Sequence, residues 1–258
     1  MLLRTKNLTL KYKNKIIVND LNINFPIGKI TTICGLNGAG KSTILKALSN
    51  NLKPFSGNVL LDDVEIGKIK KRDLAKSIAY LPQNNDIYGD VDLYTYVSYG
   101  RYPYQSMFGK LSPEDDKIIL SSLEMCGLTA LRDRLISTLS GGEFQRARIA
   151  LTLCQKTSIL ILDVPITFLD VSYQIEILKL INKLSKDLNL TIIMVLHDLN
   201  LAVLYSDYIA VIDLHTLALM TEADKFITNE NLRLYFNLNS VIITDGLYMI
   251  AKKVHNEN

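Results

Sequence analysis

Apolar residues follow two rhythms along this chain. Short β-prone runs recur at residues 29–35, 158–162, 190–196 and 208–212, the last three mainly apolar. Between them lie stretches with helical spacing. One runs from Lys41 to about Ser49. Another, over residues 172–188, places Ile175, Leu178, Ile181, Leu184 and Leu188 on one stripe. Continuous apolar strands separated by helices predict a parallel sheet covered on both faces. From about Asp92 to Leu153 the pattern is mostly helical and offers no convincing buried strand. Within it, Pro113 followed by Glu114, Asp115 and Asp116 reads as a helix start, with proline in the first turn and acids at the positive end. The expectation is an α/β core, interrupted by a helical insert that rejoins the sheet near Ser158. Residues 221–258 carry the weakest pattern.

Composition narrows the class. The chain has 258 residues, enough for one large α/β domain with a well-buried core. Lys and Arg number 29 against 26 Asp and Glu, a net charge of +3 with no dense basic block. That argues against a nucleic-acid partner. The longest strictly apolar run is five residues, where a membrane span needs roughly 20. No apolar segment of signal-peptide length opens the sequence. Cys34, Cys126 and Cys154 are odd in number and widely spaced, which suggests reduced, buried thiols in a cytoplasmic setting.

The chemistry starts at Gly35-Leu36-Asn37-Gly38-Ala39-Gly40-Lys41-Ser42-Thr43. This is the phosphate-loop spacing: glycine, four residues, then Gly-Lys-Ser. It follows a β-run and opens a helix, as a cradle of backbone N–H groups requires. Lys41 can reach the outer phosphates, and the Ser42 hydroxyl can ligate Mg²⁺. Asp163 ends the run of residues 158–162, where a carboxylate at a strand tip can hold the same cation. A second helix start follows at Leu139-Ser140-Gly141-Gly142-Glu143. Ser140 and Glu143 have the spacing of a capping box, and the helix should run from about Glu143 to Gln155. Two bare glycines there also expose N–H groups to an anion. One chain with two anion sites, about 100 residues apart, suggests a dimer with ATP between one copy's loop and the other's helix end.

On these motifs the chain resembles the ATP-binding subunit of ABC transporters over nearly its whole length. The resemblance implies a P-loop NTPase core, mainly a parallel sheet with flanking helices, an N-terminal antiparallel β part and an inserted helical subdomain. It also implies one ABC ATPase domain over 1–258, with core segments 1–87 and 158–258 and the helical subdomain over 88–157. Gly35, Asn37, Gly38, Ala39, Gly40, Lys41, Ser42 and Thr43 match the Walker A loop, and Asp163 the end of the Walker B strand. Gln83 matches the glutamine loop that senses Mg²⁺ and the membrane subunit. Ser140, Gly141, Gly142 and Glu143 match the signature sequence, Phe168-Leu169-Asp170 the D-loop, and His197 the switch histidine. Tyr12 stands where the family stacks an aromatic on adenine. Taken singly, Gln83 would read as a surface loop residue, His197 as a core histidine and Tyr12 as a strand residue packing on a neighbour. Their order and spacing together carry the assignment. The resemblance assigns ATP and Mg²⁺ as cofactors. Its partners would be a second ATP-binding subunit, either another copy in a homodimer or a different, complete subunit, a polytopic permease and, indirectly, a substrate-binding lipoprotein, at the cytoplasmic face of the membrane.

Six of the 13 tyrosines fall between Tyr88 and Tyr104, either as the insert's own packing or as an interface. The run Gly100-Arg101-Tyr102-Pro103-Tyr104-Gln105, continuing through Phe108, resembles the ATPases of ferric-siderophore, haem and cobalamin importers, ferric-siderophore first. One position departs from the family. After the Walker B aspartate the family carries a glutamate that polarises water, and here the residue is Val164. Valine can neither take a proton nor orient water. Three readings follow: a motor of an iron-complex importer, an ATP-binding but hydrolysis-impaired regulatory subunit, and a soluble non-transport member of the class.

Overall fold

The computed structural model describes residues 1–83, 91–105, 109–166 and 169–238. Tyr88, Phe108, Phe168, the expected boundary at 87/88 and the segment 239–258 lie outside the described residues.

The apolar runs become the centre of a sheet. Two sheets form. The first has the order β2-β1-β4-β5, from β1 (Leu3–Tyr12), β2 (Lys15–Leu21), β4 (Ser56–Leu61) and β5 (Val64–Glu65), all antiparallel. The second has the order β10-β9-β3-β8-β7-β6. Its strands are β3 (Ile30–Cys34), β6 (Ile78–Leu81), β7 (Ile159–Asp163), β8 (Thr191–Val195), β9 (Tyr208–Asp213) and β10 (Thr216–Glu222). Pairings from β9 through β6 are parallel, and β10 folds back on β9 as a hairpin. Every residue of β3, β7 and β8 is buried. Successive side chains point to opposite faces. Ile192 and Met194 therefore join one apolar cluster while Ile193 and Val195 join the other, and both clusters are covered.

Among the described residues, eight α-helices serve as covers and insert: α1 (Lys41–Leu48), α2 (Lys71–Leu74), α3 (Leu93–Ser98), α4 (Pro113–Met125), α5 (Gly141–Cys154), α6 (Val171–Leu188), α7 (Leu199–Tyr205) and α8 (Asn229–Phe236). The long amphipathic stretch is α6, with Ile177, Leu178, Ile181 and Leu184 buried. Pro113 is the first residue of α4, and Ser112 closes a capping box with Asp115. α3, α4 and α5 make up the insert between β6 and β7. Its described residues contain no strand, as the sequence pattern predicts. α5 begins two residues earlier than expected, because Ser140 is its N-cap and both glycines are already helical. The weakly patterned region still forms the last two residues of β10 and all of α8.

Candidate functional site

Parallel register brings the chemistry-bearing residues to one edge. Ile33 of β3 pairs with Val195 of β8, Val195 with Asp163 of β7, and Leu81 of β6 with Leu162 of β7. One or two residues beyond these positions stand Gly35, His197, Val164 and Gln83. The carboxyl ends of parallel strands are where open α/β sheets bind ligands.

The phosphate loop is built tightly against β9. A Cβ on Gly35 would lie 2.3 Å from the Ile212 carbonyl oxygen, and its φ is +146°, so a glycine is required there. Gly38 and Gly40 also take positive φ, turning the backbone through residues 36–40 into α1. Asn37 is exposed, Ala39 is half-buried, and Thr43 lies in the first turn of α1. Lys41 is buried, and its ammonium donates to the Gly35 and Leu36 carbonyl oxygens at 2.8 and 2.9 Å. Burial holds its pKa below the ordinary range, against the opposing pull of Cys34 and Asp163. Ser42 Oγ donates to Asp163 Oδ1 at 2.9 Å, so two oxygen ligands suited to a hard divalent cation already touch. His197 is exposed at the end of β8, not a core histidine. Partial burial and then the Lys41 charge lower its pKa, with Asp163 opposing, so the ring is neutral at pH 7. Gln83 is exposed just past β6.

Tyr12 is 69% exposed at the end of β1, paired with Lys15 across a tight hairpin. The hairpin lies against the loop, since a Cβ on Gly40 would meet Ile17 and Val18 at 2.9 Å. Val164 follows Asp163 with φ +47° and a buried side chain that belongs to the cluster of Ile161 and Val195.

The second anion-binding end stands elsewhere. Ser140 caps α5, its hydroxyl accepting from Glu143 N at 3.3 Å while Glu143 Oε2 accepts from Ser140 N at 2.8 Å. Hydrogen bonding to the carboxylate from the Ser140 backbone N–H, and then from its side chain, holds the Glu143 carboxyl below its usual pKa. Ser140 and Gly141 are exposed. A Cβ on Gly142 would meet the Tyr173 ring at 2.8 Å, so this glycine admits the start of α6. The fold thus gathers Tyr12, residues 35–43, Gln83, Asp163 and His197 at one edge, and it carries residues 140–143 on the insert.

The pattern of the ABC transporter family matches residues 18–167. The chain belongs to the ABC transporter family. The iron(3+)-hydroxamate import ATP-binding protein FhuC of Bacillus subtilis (strain 168) is 42% identical over 243 residues, 94% of this chain and 90% of that protein. A solved metal-chelate type ABC transporter in an inward-facing conformation superposes with a TM-score of 0.79 at 26% identity, covering 92% of this chain and 89% of the other. The dimeric ATP-binding cassette MJ0796, bound to ADP and Pi in a post-hydrolysis state, gives 0.73 at 25% identity, with 86% and 98% covered.

Several residues of this ABC ATPase escape sequence reasoning. Tyr80 OH reaches Asp163 Oδ2 at 3.4 Å, and burial first, then that carboxylate, raises the phenol pKa. Arg101 is buried and donates through Nε to Asp115 Oδ1 and through Nη1 to the Cys154 carbonyl oxygen, both at 2.8 Å. Gln145 and Arg148 are buried on α5. The available signal was a charged or amide residue inside an apolar helical stretch, such as Arg148 in Ala147-Arg148-Ile149-Ala150. The three cysteines are buried and free of disulfides. Burial pushes each thiol up to about 12 and leaves it unreactive.

Proposed function

We propose that this ABC ATPase drives an importer for a ferric siderophore or a related iron complex, as two copies seated on a polytopic permease at the cytoplasmic face of a membrane. One observation carries the dimer. Residues 35–43 cluster with Asp163, while Ser140 and Gly141 stay exposed on another part of the chain. A second copy would supply its 140–143 segment to the first copy's nucleotide. The dimeric MJ0796 cassette supports this arrangement, and the names of FhuC and the metal-chelate transporter support the cargo class. No helix among the described residues is long and apolar enough to cross a membrane, so the permease and a substrate-binding lipoprotein would handle the cargo.

In this reading Tyr12 stacks on adenine, a contact worth about 1–3 kcal/mol by analogy with base stacking. The N–H groups of residues 35–41 and the Lys41 ammonium hold the phosphates. Ser42, Asp163 and Gln83 hold Mg²⁺, which when bound neutralises charge on the phosphate oxygens. His197 holds the γ-phosphate and the attacking water by hydrogen bonds. Ser140, Gly141, Gly142 and Glu143 form the partner's anion-binding helix end.

Sedimentation with MgATP tests the pairing. The wild-type chain should become dimeric, Lys41→Ala should stay monomeric and lose nucleotide binding, and Ser140→Arg should bind nucleotide yet stay monomeric. Dimerisation of Ser140→Arg as readily as wild type would overturn the arrangement.

The buried, left-handed Val164 favours a second reading in which both copies bind ATP but turn it over slowly. Loss of general base help is typically worth about 10²–10⁴-fold.

A further inference from the structure

We infer that Arg148 is a positioning residue that fixes Gln83 and the turn after Asp163 relative to the helix carrying the exposed Ser140 end. The inference rests on the nucleotide-binding role proposed above. Gln145 and Arg148 are three residues apart on α5, so they share a face, and both are buried. Gln145 Nε2 donates to the Pro165 carbonyl oxygen at 2.6 Å. Arg148 Nη1 donates to Gln145 Oε1 at 3.0 Å, and Nη2 donates to the Pro82 carbonyl oxygen. The bonds form one line, Pro165–Gln145–Arg148–Pro82.

Both ends of that line are next to the chemistry. Pro82 immediately precedes Gln83, and Pro165 immediately follows Val164. The planar guanidinium has the fork needed to hold two acceptors in a fixed relation. Phe144 stands four residues before it on the same face of α5. Tyr96 packs on Phe144 at 5.9 Å and on Tyr99 at 6.4 Å between centroids, and Tyr99 packs on the 66%-exposed Tyr102 at 6.0 Å. The helix that carries Arg148 therefore also seats, at Phe144, an aromatic cluster of the insert, so one element joins that surface to the strand ends that hold the candidate metal ligands. Buried hydrogen-bonded charges are costly to disturb, which makes this link stiff.

The test is the gain in ATP affinity that Mg²⁺ confers, measured by calorimetry on the full chain with Mg²⁺ and with a chelator. If Arg148 positions Gln83, Arg148→Met loses about fivefold of that gain, as Gln83→Ala does, while affinity in chelator is unchanged. Arg148→Lys, with one donor group in place of a fork, should lose less than Arg148→Met but still fall below wild type. An Arg148→Met chain with the full magnesium gain, or with equal losses in both conditions, would overturn the inference. Should Arg148→Met fail to fold, Arg148→Lys decides, and a wild-type magnesium gain in it overturns the inference. A wild-type chain that binds no nucleotide would instead overturn the proposed function itself.

Discussion

At Val164 the backbone has φ +47° while the side chain is only 7% exposed. A β-branched residue in the left-handed region is crowded, at a cost of about 1–3 kcal/mol. Burial of its methyl groups beside Ile161 and Val195 offsets that cost and keeps the side chain in the apolar layer. A glutamate at this position has no branch at Cβ and a carboxylate that the apolar layer rejects, so it would turn toward the strand edge with His197. Steady-state phosphate release from Val164→Glu should therefore exceed wild type by about 10²–10⁴-fold. Equal rates would mean that water is activated without a carboxylate at 164.

At the level of elements, the insert depends on a buried ion pair. Arg101 and Asp115 are 4% and 7% exposed, and Arg101 also stacks 3.8 Å from the Tyr104 ring centroid. Removing one partner of such a pair costs about 3–5 kcal/mol, because the other charge is left buried. Arg101→Ala should lower the urea midpoint accordingly, and Arg101→Ala/Asp115→Asn should recover part of the loss. The pH dependence has a definite sign. Burial pushes the Asp115 carboxyl up, but bonds from Ser112 and Arg101 outweigh it and hold the pKa below its ordinary 3.8. The unfolded chain then takes up protons first, so this stability is complete above the ordinary pKa and disappears as pH falls through the folded one. Unfolding scans from pH 6 downward should show an acid loss that Asp115→Asn reduces.

On the scale of the molecule, the tyrosine-rich run divides its labour. Tyr104 stacks on Arg101, Tyr96 packs on Phe144, and Tyr94 OH donates to Asp116 at 2.7 Å, while Tyr99 and Tyr102 are exposed. The packing use that the sequence left open is present among the described residues, and Tyr99 and Tyr102 remain on the surface. Tyr102→Ala should keep the melting temperature and MgATP affinity and, under the permease-bound arrangement proposed above, lose co-purification with that membrane protein; retained co-purification would place Tyr102 outside its docking surface. The central sheet was legible because β3, β7 and β8 are apolar on both faces, and the phosphate loop because its spacing is set by glycine geometry. The N-terminal strands came only from family resemblance, since β2 has four exposed residues among its seven and gives little periodic signal. A cation inside an apolar stretch marks Arg148 as a candidate for burial, but the acceptors of Arg101 and Arg148 at Asp115, Cys154 and Pro82 are distant along the chain and leave no periodic signal.

The shared register of β3, β8, β7 and β6 separates scaffold from reagent. Gly35, Val164, His197 and Gln83 stand as appendages just past strands that are buried almost throughout, and Asp163 closes one of them. Exchanging an appendage changes how fast the machine cycles without asking the sheet to refold. A lineage could idle such an engine by one codon at position 164, keep it assembled and loaded, and restart it by the same codon.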